Sequence, residues 1–230
     1  MPEGWWWLPD ASEGAWIDWE PMFPPPATPP YVTVSSVLPS GFAACARVLP
    51  PLNVGGTPTR WAALARAVGV EMHSGMRGQD LLNLAAGQPL GTFHPCSLGL
   101  DPYVWPVMLE VLLRHTTSES LVFGFWEGHL GKPFRPQEEL LQSSIRRWAL
   151  AQSHRTIADT PIPQWPDMRE KNQQSWPTPP CLVWPRDRTW FVHSDIDDME
   201  AYVAGSEEAI QEILACPDLE AVSVEYDDGL

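Results

Sequence analysis

The densest set of reactive side chains lies near the C-terminus. If residues 189–197 form a strand, alternation puts Phe191, His193, Asp195 and Asp197 on one face and Trp190, Val192 and Ile196 on the other. An imidazole beside two carboxylates suits ligation of a divalent metal or proton transfer in a hydrolase. The open face of an antiparallel sheet is also commonly polar for solvation alone, and Asp197-Asp198 can simply begin a turn. The acidic run is not a calcium loop, because Met199 stands at the third expected ligand position and no glycine follows where that loop needs one. Just upstream, Asp187 and Arg188 stand between Trp184 and Trp190. There the arginine offers a planar donor to a carboxylate or phosphate and the indoles offer stacking faces. An arginine held by aspartate between tryptophans also locks a loop entering a strand, which is the stronger of the two readings.

Other chemistry lacks its signature. The histidines His73, His94, His115, His129, His154 and His193 show no H-E-x-x-H spacing, and Cys45, Cys96, Cys181 and Cys216 form no C-x-x-C pair. Nucleophile elbows, P-loops and G-x-G-x-x-G are absent; Asn53-Val54-Gly55-Gly56-Thr57 offers glycine without the required strand-turn spacing. Arg146-Arg147 is too short for a basic patch, and alternation sends the two to opposite faces. No cofactor and no metal site is called for. The 13 tryptophans, Trp5-Trp6-Trp7 with Trp16 and Trp19 among them, suit stacking or peptide-binding surfaces and, more commonly, burial of large area.

The elements that must position these residues follow from periodicity. Strands are expected at 31–38 and 42–49, paired across Pro39-Ser40-Gly41. A helix should start with Thr57 as N-cap and Pro58 at its first position, carry the stripe Trp61, Leu64, Ala65 and Val68, and stop at Gly69. Residues 106–115 form a second helix, with shorter helices at 79–85 and 138–141 and strands at 121–126 and 144–151. The C-terminal third predicts a half-buried strand at 189–197, a short one at 201–204, a helix capped by Ser206 and ended by Pro217, and a last strand through Val222, Val224 and Tyr226. This order argues for an α+β fold, a mostly antiparallel sheet with three or four packed helices.

Proline, 26 of 230 residues, divides the chain into a Trp/Pro-rich acidic N-terminal arm, 1–30, and one α+β domain, 31–230, with a Pro-rich loop at about 154–180. No repeat at a fixed period is visible. No apolar run reaches the roughly 18 residues that span a bilayer, and Met1-Pro2-Glu3-Gly4-Trp5 lacks a basic secretory start, which leads us to expect a soluble cytoplasmic protein that engages no membrane. The formal charge of −15 is end-loaded: residues 1–30 carry five acids and no Lys or Arg, 31–188 carry 14 bases and 12 acids, and 189–230 carry 12 acids and no base. Nucleic acid would be repelled. Such a surface speeds encounter with a basic protein, or serves solubility alone.

The stretch from Pro180 to Asp197, centred on Trp184-Pro185-Arg186-Asp187-Arg188-Thr189-Trp190 and followed by Tyr202-Val203-Ala204-Gly205-Ser206, resembles a family of uncharacterised proteins found mainly in actinobacteria and other high-GC bacteria. Residues 42–48, 60–65, His115-Thr116-Thr117 and 125–128 fit the same pattern, and the likeness runs from about residue 40 to 226. Relatives tend to carry a histidine where this chain has Leu49 before Pro50, so no role of that histidine transfers. The use of 12 Arg against 2 Lys suits such an origin. The resemblance implies no activity. The expectation is therefore a non-enzymatic protein-binding module, immunity-like or regulatory, presenting an acidic surface with Trp184, Asp187, Arg188 and Trp190 as its contact candidates. The alternative is a hydrolase or other enzyme using His193, Asp195 and Asp197, with or without a divalent metal.

Overall fold

The structure, a computed structural model, describes residues 4–18, 33–54, 57–86, 93–95, 101, 104–129, 140–142, 147–155, 180–195 and 200–229. In chain order its strands and helices are β1 (Trp5–Trp7), β2 (Ala44–Val48), β3 (Leu52–Val54), β4 (Thr57–Thr59), α1 (Trp61–Ala67), α2 (Gly78–Ala85), β5 (Phe93–Pro95), α3 (Val104–Leu113), β6 (Ser120–Trp126), β7 (Leu141–Gln142), β8 (Arg147–His154), β9 (Leu182–Pro185), β10 (Phe191–Ser194), β11 (Ala201–Gly205), α4 (Glu207–Ala215) and β12 (Ala221–Val224). The main sheet runs β1-β8-β6-β9-β10-β11-β2-β12, with β7 also on β8; β4-β3-β5 form a second, small sheet. Every pairing among the described strands is antiparallel, and the fold is α+β.

Strict alternation sorts the strands between two cores. Phe123, Val183, Trp190, Val192, Val203 and Val48 enter one, covered by Met108 and Leu112 of α3 and Ile210 and Ile213 of α4. Val122, Leu182, Trp184, Phe191, Tyr202 and Cys45 enter the other, covered by the N-terminal segment through Leu8 and Ile17 and by Val34, Val37 and Leu38. A third, smaller core joins α1, α2 and Leu52 of the small sheet. Sheets covered on both faces read as nearly continuous apolar runs.

Local chemistry starts and stops the helices. Ser206 Oγ accepts from Ala209 N at 3.2 Å at the head of α4, and Glu207 and Glu208 sit in its first turn, at the positive end of the dipole. Asp101 Oδ1 accepts from Val104 N at 3.2 Å, which sets α3 two residues earlier than its pattern suggests, with Pro106 still in the first turn. Gly69, at φ 79°, follows α1 in the left-handed region a stop requires.

Several expectations change. Val34–Ser36 is a 3-10 turn rather than strand, and β2 pairs with β11 and β12, not with it. Thr57 does not cap a helix, since Thr57–Thr59 is β4 and α1 begins at Trp61. Leu141 lies in β7 and not in a helix. The strand expected at 144–151 starts at Arg147 and runs on to His154. The long Pro-rich loop, the first proline cluster, Arg146 and residues 138–139 lie outside the described residues.

Candidate functional site: a buried charged row at the sheet end

β10 is a central strand, which corrects the half-buried expectation: His193 is 1 % exposed and Asp195 3 %. The predicted facing holds at Phe191 and His193 against Trp190 and Val192, whereas Asp197 lies outside the described residues. Strand register then brings His193 level with Leu182 on β9 and Tyr202 on β11, and Tyr202 level with Arg47 on β2. Imidazole, phenol and guanidinium thus stand in one cross-strand row on the same face.

Glu200, two residues before Tyr202, ties the row together. Its Oε2 lies 3.4 Å from Arg47 Nη1 and accepts from the Tyr202 hydroxyl at 3.1 Å; its Oε1 accepts from Gly78 N at 2.8 Å. Arg47 Nη2 donates to the carbonyl oxygens of Met76 at 2.5 Å and His73 at 3.4 Å. A buried ion left alone costs several kcal/mol, and here cation and anion neutralise each other while Arg47 Nη2 and Glu200 Oε1 meet backbone; Arg47 Nε is left without a hydrogen-bond partner among the described residues. The arrangement braces the start of α2 against the sheet. His193 and Asp195 also interact within the chain. Among the described residues no group of three or more His, Cys, Asp or Glu is placed to hold a metal ion.

Sequence reasoning missed Arg47, Tyr202 and Glu200. The signal was present: Arg47 interrupts the apolar run Ala44-Cys45-Ala46-Arg47-Val48 at a position pointing into the protein, which demands an acidic partner from elsewhere.

The second candidate set separates. Trp184 and Trp190 point into different cores, so they do not sandwich Arg188. Trp184 stacks on Phe191 with centroids 5.7 Å apart, and Trp16 meets both edge-on. Arg188 turns through φ 57° and lies 5.4 Å over the Trp16 ring, while Arg186 ion-pairs with Glu13. Asp187 is a knot. Oδ2 accepts from Thr116 Oγ1 at 2.7 Å, Thr117 N at 2.9 Å and Ser118 N at 3.1 Å, and Oδ1 from Thr189 Oγ1 at 3.0 Å. Burial acts to raise its carboxyl, but the hydrogen bonds from Thr116, Thr189 and Thr117 outweigh burial and hold it below the ordinary value. Elsewhere, burial pushes the Cys45 thiol up to about 11, which keeps it protonated and unreactive at neutral pH.

Part of the acidic end faces water. Glu207 and Glu208 on α4, Asp218 before β12, and Glu225 and Asp227 after it are exposed, and none ion-pairs among the described residues. Glu212 is the exception on α4: Arg114 and His115 both reach it, and Arg114 leads the hydrogen bonds that lower its pKa. No family model, curated protein or solved structure matches the chain.

Proposed function

We propose that this chain is a non-enzymatic, cytoplasmic protein-binding module, of an immunity-like or regulatory kind, whose acidic C-terminal side meets a basic protein. The observation that carries the reading is that Glu207, Glu208, Asp218, Glu225 and Asp227 are exposed and make no ion pair among the described residues, in a stretch of 42 residues that contains no Lys or Arg. Unneutralised charge of one sign steers an oppositely charged partner and is screened by salt. The buried ionisable pair Arg47 and Glu200 occupy each other. Cross-linking in the native host, followed by identification of the captured protein, tests this. The expected outcome is a basic partner whose capture weakens as salt rises and is lost when the five carboxylates are replaced by lysine. Capture that ignores both changes overturns it.

A second reading, an enzyme built on His193, Asp195 and Asp197, draws on one observation: the buried His193 stands level with Tyr202. Its test is hydrolytic activity against ester, amide and phosphate panels that His193→Gln abolishes while leaving the thermal transition in place.

A further inference from the structure

β12 ends the main sheet, and its backbone has one side paired and one side open among the described residues. Leu49 N donates to the Glu220 carbonyl at 2.8 Å, which makes Leu49 and Glu220 a hydrogen-bonded pair across the β2–β12 ladder. Antiparallel pairs alternate, so Val222 and Val224 also bond toward β2, while the N–H and C=O groups of Ala221 and Ser223 point outward. The next outward residue is already served: Glu225 N donates to Asp228 Oδ2 at 2.9 Å, and Glu225 O accepts from Asp228 N at 3.1 Å. Ser223 itself is exposed and Val222 half-buried.

An open edge strand is a template for another strand, and proteins commonly protect such edges with lysine or proline. Here neither appears in the strand. Instead the edge is bracketed by carboxylates, Asp218 and Glu220 before it and Glu225, Asp227 and Asp228 after it. Glu220 is turned away, holding the first amides of α1, and the Arg60 guanidinium is tied to the Pro217 carbonyl. Carboxylates repel an acidic strand and favour a cationic one.

We propose that the outer edge of β12 is a docking strand for an extended segment of a partner protein rich in Lys or Arg, which joins the sheet through the backbone groups of Ala221 and Ser223. Main-chain hydrogen bonds then supply affinity and the flanking carboxylates supply selectivity. The proposal rests on the acidic-surface reading above and adds a mode of contact to it.

The test uses the whole chain and a labelled eight-residue peptide alternating Lys and Val, beside the same peptide N-methylated throughout and a Glu/Val version. Ser223→Pro removes an outward N–H that β2 does not use, a substitution edge strands tolerate, and Ser223→Ala is its control. The expected result is binding of the Lys/Val peptide alone, weakened about tenfold by Ser223→Pro and unchanged by Ser223→Ala, with slowed amide exchange at Ala221 and Ser223 on binding. If the N-methylated peptide binds equally, or Ser223→Pro binds like the native chain, strand addition is overturned while the acidic surface keeps its role. If no basic peptide binds even at low salt, both fall. Slow exchange at Ala221 and Ser223 in the free monomer means that the chain itself covers the edge, and in a dimer that a second copy does; either overturns the proposal. Should Ser223→Pro fail to fold, the N-methylated peptide and Glu225→Lys with Asp227→Lys decide.

Discussion

At the scale of single residues, Asp187 shows how a position flanked by potential binding groups can be spent on architecture. Its two oxygens gather the loop after α3 and the turn between β9 and β10, so removing it releases several donors at once. Asp187→Ala is expected to cost about 1–2 kcal/mol in chemical denaturation at neutral pH, toward the low end because the carboxylate reaches water. Its pKa is lowered by folding, so the native advantage is complete above the unfolded carboxylate value and disappears as pH falls through the lower folded value. The gap between native and mutant should therefore close only in strong acid; a gap that is constant with pH would place the effect in packing. One residue on, Arg188 occupies the left-handed region, which costs a side-chain-bearing residue about 1 kcal/mol or more. Arg188→Ala keeps that cost and loses the Trp16 contact, whereas Arg188→Gly removes the cost, so glycine should melt higher than alanine here, against its general tendency.

At the scale of elements, α1 and α2 have no side-chain cap of their own, at Arg60 or at Arg77, and borrow carboxylates from the far end of the chain. Glu220 accepts from Trp61 N at 2.7 Å and Ala62 N at 2.6 Å, and Glu200 accepts from Gly78 N at 2.8 Å. Glu220→Ala should cost about 1 kcal/mol, the usual loss of a cap, and speed exchange at the Trp61 and Ala62 amides. Glu200→Ala should cost about 3–5 kcal/mol, because it also strands the buried Arg47. Equal losses would remove the ion pair from the account. Gly78→Ala belongs here too: a methyl would meet Glu200 Oε1 and Trp61 Cη2 at 2.8 Å, so the substitution should destabilise although alanine favours helix. These borrowed caps explain where the sequence was legible. α4 carries Glu207 and Glu208 in its first turn with Ser206 and Pro217 flanking it, and its bounds could be read directly. The start of α1 is set by Glu220, 159 residues away from Trp61, and Thr57-Pro58 imitated a helix start that belongs to a strand. The facing of His193 was readable from alternation, a local property, but its burial was not, because that depends on β9 and β11 flanking it and on chain from distant segments covering the face.

At the scale of the molecule, the N-terminal residues act as part of the body. β1 lies on β8 at one edge of the main sheet, and Trp5 enters the first core, 4.6 Å from Phe123. The chain then passes to the opposite face, where Leu8 and Ile17 enter the second core and Trp16 packs against Trp184, Phe191 and Phe42. Fifteen described residues, 4–18, thus clip the sheet from both sides, pinned by Glu13 on Arg186 and by Trp16 under Arg188. The pinning charges matter less than the buried area. An exposed ion pair contributes about 0–1 kcal/mol, whereas Trp5, Leu8 and Ile17 each bury a side chain worth about 1.5–3 kcal/mol. Their sum is comparable with the entire net stability of a domain, about 5–15 kcal/mol. Deleting residues 1–18 should therefore leave a chain that keeps far-UV circular dichroism, loses near-UV signal, and binds ANS through the uncovered aromatic face. Adding a synthetic peptide of residues 1–18 should restore the near-UV signal in proportion to its concentration, while Glu13→Ala alone in the full chain should shift the melting temperature by no more than about 2–4 °C. A truncated chain that melts like the full one would make the arm a tail. It would also reassign the closing of the second core to Val34, Val37 and Leu38 alone.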